Sequence, residues 1–272
     1  MALYLGSNQL AFQGSVEIET ETSVVAQLLN KTIVSYSNSR ITTTGTAFPG
    51  CSQLTEVNLP NVTYLGSYCF QSCVALTTVS FSKVTDVGSY VFNYCSQLIN
   101  VSLPLLSRIG YYMFASCYAL ESISLPEVTE VGYEAFWSCK SLITISFPKA
   151  TILSTYAFEY CSQLTNISFP LVSLIGSNVF LKCNKLNIAS FSCVRTIQSS
   201  AFASCYNLTL LNLAGVSSVP TLVNSNVFSS TPIGGYSTSA GKYGSIYVPA
   251  SLYSSFLTAT NWSLFSSRIT ST

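Results

Sequence analysis

Eight cysteines recur at intervals of 22 residues, and this spacing constrains the fold more than any other feature of the chain. They are Cys51, Cys73, Cys95, Cys117, Cys139, Cys161, Cys183 and Cys205. Each has Phe three residues before it and Leu three residues after it. A fixed period of about 20 residues indicates stacked units, because one unit cannot bury its apolar face alone. The spacing therefore predicts an elongated solenoid with one turn per repeat.

Each repeat contains a short strand and a turn. Two apolar residues six and eight positions after the cysteine, such as Ile123 and Leu125, alternate as inward residues of a strand do. A proline often follows and ends the strand, because it lacks a backbone donor. A second apolar pair, such as Val128 and Val131, precedes a glycine. We expect positive φ at these glycines, and a tight helical turn at the Phe and Cys that follow. The glycines are Gly66, Gly88, Gly110, Gly132 and Gly176.

The cysteine ladder can be interpreted in two ways. Equivalent residues on adjacent turns lie about 5 Å apart, within range for a disulfide. However, stacked side chains point in the same direction, which favours a column of buried free thiols. Cys69 occupies an apolar position of the repeat and is predicted to lie in the core. Cys193 follows a predicted strand and is the best candidate for an exposed thiol.

Composition excludes several classes of function. Charged residues make up 8% of the 272 residues and the net charge is +1, without a basic cluster, so nucleic-acid binding is not predicted. No apolar run reaches the roughly 18 residues of a spanning helix, so membrane insertion is not predicted either. Residues 1–14 show no signal-peptide pattern.

The repeat divides the chain into three predicted regions. Residues 1–28 form an N-terminal cap or small module, residues 29–216 form the repeats, and residues 217–272 form an extended loop and a C-terminal cap. A cap is expected because the end of a solenoid otherwise exposes its core. In the last region we predict a loop up to residue 245, a final strand at Ile246 to Val248, and a broken amphipathic helix from Leu252 to Ile269.

The repeat unit resembles the BspA-type leucine-rich repeat, as Phe114, Cys117, Leu120, Ile123 and Leu125 show best. The resemblance implies a leucine-rich repeat solenoid, a right-handed α/β superhelix that is largely β with short helical turns. It implies a parallel concave sheet of about 9–10 strands, and a role in adhesion or protein binding at a cell surface. The flanking segments look like those of gut-bacterial surface proteins. The opening Ala2-Leu-Tyr-Leu-Gly also looks like the start of some phage structural proteins, so a cytoplasmic or virion-associated location is the alternative.

No catalytic centre, metal site or cofactor is predicted. His is absent, which excludes Ser-His and Cys-His nucleophiles, and the cysteines lack the paired spacing of zinc sites. Carboxylates are the remaining option for catalysis. Glu121, Glu127, Glu130 and Glu134 cluster in sequence, and a pair such as Glu121 and Glu127 could act on glycans if it lay beside a cleft. A solvated surface is the simpler interpretation.

The predicted concave face is the candidate binding site. Its outward positions carry mostly hydroxyl and amide side chains, which could bind a protein or a glycan or could only keep the sheet soluble. The candidates are Asn58, Ser80, Asn100, Ser102, Ser122, Ser124, Thr144, Ser146, Asn166, Ser168, Ile188, Ser190, Leu210 and Asn212. Ile188 and Leu210 make the C-terminal end more apolar and mark it as a possible contact patch.

Tyrosine is abundant outside the apolar positions, with 17 copies in the chain. Such rings either contact a partner or shield the core at the turns. We therefore predict a binding or adhesion protein without enzymatic activity. A structural component of a phage-like or cell-surface assembly is the alternative, and a carboxylate-dependent glycan-acting enzyme is a remote one.

Overall fold

The computed structural model describes residues 3–5, 8–10, 31–235 and 243–272. From residue 31 the chain winds into a parallel β-solenoid of about ten turns. Each repeat forms three sides, which we call the first sheet, the second sheet and the turn side. This architecture confirms the solenoid with a parallel sheet that the 22-residue period predicts.

The first sheet contains the strand that the sequence predicts six residues after each cysteine. Paired strands are parallel and in register, so that Ile123 lies opposite Ile145. Residues point alternately into the core and outward, and the inward ones are apolar. The strands are Ser35–Ser37, Glu56–Asn58, Thr78–Ser80, Asn100–Ser102, Ser122–Ser124, Thr144–Ser146, Asn166–Phe169, Ile188–Phe191, Leu210–Asn212, Ser245–Val248 and Ile269–Ser271.

The second sheet follows after the proline corner and is built from shorter strands. Each strand has one residue pointing outward and one pointing into the core, such as Glu130 and Val131. The strands are Tyr64–Leu65, Asp86–Val87, Arg108–Ile109, Glu130–Val131, Ile152–Leu153, Leu174–Ile175, Thr196–Ile197 and Thr221–Leu222.

The turn side consists of successive hydrogen-bonded turns, and the expected helical turn at Phe and Cys is wrong. From Phe70 to Phe202, each phenylalanine that stands three residues before a ladder cysteine has a residue with positive φ two positions before it and another two positions after it. Around Phe70 these are Tyr68 at 63° and Ser72 at 58°. L-residues in this left-handed region interrupt a right-handed helix. The backbone instead bonds to the next turn: the N–H of Phe70 donates to the carbonyl of Val91 at 3.0 Å.

The expectation of positive φ at the repeat glycines is also wrong. Gly66, Gly88, Gly110, Gly132 and Gly176 lie outside the left-handed region. They are needed because adjacent turns approach closely: a Cβ on Gly132 would lie 2.6 Å from the carbonyl oxygen of Ile109. The left-handed conformation falls two residues later, at positions such as Tyr68 and Tyr90.

A column of phenylalanine rings runs through the core parallel to the solenoid axis. Successive rings stack with centroids 5.1–5.7 Å apart, and all are buried. Burial of each ring contributes roughly 1.5–3 kcal/mol, and aromatic contact adds to it. The column contains Phe48, Phe70, Phe92, Phe114, Phe136, Phe158, Phe180, Phe202 and Phe228.

The ladder cysteines are buried beside this column as free thiols. From Cys73 onward each thiol donates a hydrogen bond to the main-chain carbonyl of the phenylalanine 25 residues earlier, with Sγ to oxygen distances of 3.0–3.3 Å. The expected burial of Cys69 and exposure of Cys193 are both confirmed. The thiols therefore link each turn to the preceding one without a covalent bond.

At the N-terminal end, strands Leu3–Leu5 and Asn8–Leu10 form an antiparallel hairpin. The other predicted features of residues 1–28 lie outside the described residues.

The strand predicted at Ile246 to Val248 is confirmed as Ser245–Val248, but it is not the last strand, and the predicted loop before it contains further elements. Strand Thr221–Leu222 and the 3₁₀-helix Ser225–Phe228 continue the repeat, and Phe228 stacks on Phe202. Four elements follow the strand at Ser245–Val248: a 3₁₀-helix (Ala250–Leu252), an α-helix (Tyr253–Thr258), a second 3₁₀-helix (Ser263–Arg268) and a last strand (Ile269–Ser271). Ile269 was expected on a helix but pairs with Ile246 in the first sheet.

The helices of this region complete the core at the C-terminal end. Trp262 is fully buried and its indole N–H donates to the carbonyl of Pro220 at 2.6 Å. Its ring contacts Phe228 and Phe256. In the described part of the chain, no helix has the length and hydropathy to span a bilayer.

Candidate functional site

The candidate residues lie on the outward face of the first sheet, but their exposure is not uniform. In the strands from Glu56–Asn58 to Asn166–Phe169 the outward residues are exposed. Ile188, Ser190, Leu210 and Asn212 are half-buried. The C-terminal end is therefore less accessible than the middle of this face, and the contact patch suggested for Ile188 and Leu210 stays a prediction.

An open groove of about 370 Å³ runs across four strands of the exposed part. Its floor is formed by the outward residues Thr78, Ser80, Asn100, Ser102, Ser122, Ser124, Thr144 and Ser146. A second groove continues it toward Asn58 and Glu56. The two grooves thus bring together eight of the fourteen sequence-predicted binding residues, whereas the six from Asn166 to Asn212 line neither groove.

One side of the groove carries apolar residues that sequence reasoning missed. Ile99 lines the groove and has 47% of its side chain exposed, and Ile143 occupies the equivalent position two turns later with 40% exposed. Both stand four residues after a ladder cysteine, where other repeats have residues such as Thr77 and Thr165. The sequence signal for these exposed apolar residues was isoleucine at a repeat position that polar residues otherwise occupy.

The serine hydroxyls of this face differ from the other hydroxyl rows in their hydrogen bonding. At the corner between the two sheets, Thr129 donates to the carbonyl of Ser107 and Thr151 donates to the carbonyl of Thr129, both at 3.1 Å. Among the described residues, no protein hydrogen bond is made by the side chains of Ser102 and Ser124. Their donors and acceptors are available to a ligand or to water.

Several of the tyrosines outside the apolar positions form a column along the edge where the second sheet meets the turn side. The rings of Tyr68, Tyr90 and Tyr112 stack with centroids 4.9 and 4.5 Å apart. Tyr133 and Tyr156 continue the column through edge-to-face contacts. The ring faces in the stacked part contact one another, so this column shields the turns and leaves ring edges to the solvent.

Glu134 takes the place of a tyrosine in this column and bonds to its neighbours. Burial in the column and the hydrogen bond with Glu134 raise the pKa of Tyr112 well above its ordinary value. The hydrogen bond with Glu134 and then burial raise the pKa of Tyr133. Because an ordinary tyrosine is already protonated at neutral pH, these shifts affect the two phenols only at alkaline pH.

The carboxylates considered for catalysis do not meet in a cleft. Glu127 forms an ion pair with Lys149 at 2.7 Å, and neither Glu121 nor Glu127 lines the groove. Asp86 pairs with Arg108 at 2.9 Å on the second sheet. Within the described ranges, no group of three or more Cys, Asp or Glu side chains is placed to hold a metal ion.

The parallel first sheet, the repeated apolar positions and the exposed hydroxyl face define a leucine-rich repeat solenoid. The family model of the BspA-type leucine-rich repeat region, which has six copies, matches residues 26–143 and 129–238. These residues are more than half of the chain, which belongs to the BspA-type leucine-rich repeat family.

Two solved structures of bacterial leucine-rich repeat proteins are similar to this chain. A leucine-rich cell surface protein from Faecalibacterium prausnitzii A2-165 matches with 25% identity and a TM-score of 0.50, over 65% of this chain and 60% of that one. A leucine-rich repeat protein from Bacteroides ovatus ATCC 8483 matches with 16% identity and a TM-score of 0.39, over 88% of both chains. The chain thus matches about 60% of the length of the Faecalibacterium protein. No curated protein matches it.

Proposed function

We propose that this protein is a non-enzymatic binding protein that recognises a partner through the outward face of the first sheet. The observation that carries the proposal is the groove whose floor includes Ser102 and Ser124, the hydroxyls of which have no hydrogen-bond partner among the described residues. A row of free donors and acceptors suits a polar partner that lies across several turns. Membership of a repeat family supports binding, and the cell-surface description of the Faecalibacterium protein supports a role at a cell surface.

The groove favours a protein partner over a glycan. Ile99 lines the groove beside the hydroxyl floor with an exposed aliphatic side chain, and Ile143 is exposed at the equivalent position two turns later. A mixed surface of aliphatic and hydroxyl groups fits a polypeptide segment with apolar side chains, whereas the described groove offers no aromatic ring for a sugar to stack on.

The test is a binding screen on arrays of surface and matrix proteins and of glycans. Hits are retested with Ser102→Tyr and Ser124→Tyr, which fill the groove, and with Ser107→Tyr as a control at the corner between the sheets. We expect saturable binding to a protein that both groove variants abolish and the control retains. Binding that survives in both groove variants would place the recognition surface elsewhere. If the protein binds to nothing on either array, the proposed role of the groove is contradicted.

A further inference from the structure

A second surface lies at the corner where the turn side meets the first sheet, away from the groove. It contains Tyr118, Trp137, Lys140, Tyr160 and Lys182, and we call it the aromatic–lysine corner. The Nζ of Lys140 lies 5.5 Å from the ring centroid of Tyr118, and the Nζ of Lys182 lies 4.6 Å from that of Tyr160. The rings of Trp137 and Tyr160 meet edge to face at 6.2 Å. Four consecutive turns therefore contribute cations and rings to one contiguous surface.

The corner is cationic because its two lysines, Lys140 and Lys182, outnumber the one carboxylate that bonds to it, that of Glu159. The indole N–H of Trp137 donates to Oε2 of Glu159 at 3.2 Å, and partial burial raises the pKa of this carboxyl. Beyond Glu159 the sequence contains no Asp or Glu up to residue 272. The same segment contains Lys182, Lys185, Arg195, Lys242 and Arg268. The segment that follows Glu159 thus carries positive charges only.

The chemistry of this corner differs from that of a protein-binding surface. Half-buried amide and hydroxyl groups of Ser141, Gln163 and Asn184 border it, and Lys185 bonds to Gln163 at 2.6 Å. Its aliphatic neighbours Ala119 and Leu181 are half-buried. Protein interfaces usually have an apolar centre, whereas rings combined with ammonium and amide groups can stack on sugar rings and pair with their acidic substituents.

We propose that the aromatic–lysine corner binds an acidic polysaccharide. Turns of the solenoid repeat about every 4.8 Å along its axis, so a polymer that follows the axis meets a new cation or ring at each turn. Multiple weak contacts along one chain then add to a useful affinity. Because this surface is separate from the groove, it would act independently of the partner proposed for the first sheet.

The experiment measures binding of polygalacturonate by the full chain with isothermal titration calorimetry at low salt. The matched probe is the fully methyl-esterified polymer, which has the same sugars without the charge. We expect binding to polygalacturonate only, weakening as salt is added. Lys140→Gln/Lys182→Gln should weaken it roughly tenfold, equivalent to about 1.4 kcal/mol. Tyr160→Asn, which tolerates the positive φ found there, should weaken it also.

Two controls separate this site from general attraction of charges. Lys83→Gln/Lys149→Gln removes the same charge from another corner and should leave the affinity unchanged. Poly-glutamate carries the charge without sugar rings and should bind much more weakly than polygalacturonate. The proposal is overturned if polygalacturonate does not bind, if poly-glutamate binds equally well, or if the control variant loses as much affinity as the corner variant.

Discussion

The thiol of Cys139 donates a hydrogen bond to the main-chain carbonyl of Phe114, with 3.0 Å between Sγ and the oxygen. Cys139 is fully buried, and the same bond recurs at every ladder position from Cys73 to Cys205. Each of these thiols thus connects its own turn to the main chain at the core phenylalanine of the preceding turn.

Removing one of these thiols should destabilise the solenoid. Cys139→Ala loses the hydrogen bond and leaves a small cavity, so we expect the free energy of unfolding to fall by about 1–3 kcal/mol. Cys193→Ala is the matched control, because this thiol is exposed and its removal should cost less than about 0.5 kcal/mol. Urea unfolding followed by circular dichroism measures both, and equal losses would contradict the role of the ladder.

Thiol labelling should distinguish the buried and exposed cysteines directly. At pH 8 the folded protein should react rapidly with Ellman's reagent at Cys193 alone, whereas the urea-unfolded protein should release ten equivalents. Burial prevents both reagent access and thiolate formation at the other positions. A folded count well above one, or an unfolded count well below ten, would show that the ladder is accessible or is oxidised.

Stability should fall at alkaline pH because the native thiols hold their protons. Burial raises the pKa of Cys69 and of Cys139 to about 12 from an ordinary value of 9.0. The contribution that each buried, protonated thiol makes to the free energy of unfolding is fully present below about pH 9. It is lost as the pH rises through the native pKa. Between these values each such thiol lowers the free energy of unfolding by about 1.4 kcal/mol per pH unit.

The contribution of one thiol can be isolated by comparison with a variant. Urea unfolding of the wild type and of Cys139→Ala between pH 8 and 11 cancels the titration of tyrosines and of the other cysteines. The stability of the variant should decline less steeply above pH 9. Parallel declines would show that Cys139 ionises equally in both states.

The close approach of adjacent turns should make the repeat glycines intolerant of a side chain. The new Cβ of Gly132→Ala would lie within 2.6 Å of the Ile109 carbonyl oxygen, so the backbone must shift. We expect Gly132→Ala to lower the free energy of unfolding by about 1–3 kcal/mol, as substitutions that overpack a core do. Ser154→Gly, at the equivalent position of the next turn, is the reverse change and should cost less. Thermal unfolding of both variants tests this, and a neutral Gly132→Ala would contradict the close approach.

The left-handed positions of the turn side should accept glycine. Ser204 has a φ of 58°, which is unfavourable for an L-residue, so Ser204→Gly should leave stability unchanged or raise it by up to about 1 kcal/mol. Ser190 lies in a strand, so Ser190→Gly should instead lower the free energy of unfolding by about 0.5–1 kcal/mol. Chemical unfolding of the two variants provides the comparison, and a larger loss for Ser204→Gly would contradict the assigned conformation.

The solenoid and its core could be predicted because they depend on periodicity. Phe136, Cys139 and Leu142 repeat in register, and stacking equivalent residues buries them all. The backbone of the turn side could not be predicted, because Tyr68, Glu134 and Ser200 share a left-handed position of the repeat without sharing a residue type. That conformation is stabilised by hydrogen bonds to the next turn, which outweigh local preference.

The candidate site was only partly predictable for a related reason. Alternation identifies Ser102 and Ser124 as outward residues, and the structure places both in the groove. The half-burial of Ile188 and Leu210 depends on three-dimensional surroundings that no repeat position encodes. Likewise, the corner around Trp137 arises from irregular residues of neighbouring repeats.

The opposite directions of hydrogen bonding on two sides of each turn have a consequence for how the chain can vary. On the turn side the N–H of Phe92 donates forward to Met113, whereas at the second sheet Gly88 donates backward to Leu65. Every internal 22-residue unit therefore bonds to the unit before it and to the unit after it in the same pattern as its neighbours do. Whole units can be duplicated or excised without creating a mismatched boundary, and the length of the molecule becomes adjustable in single steps.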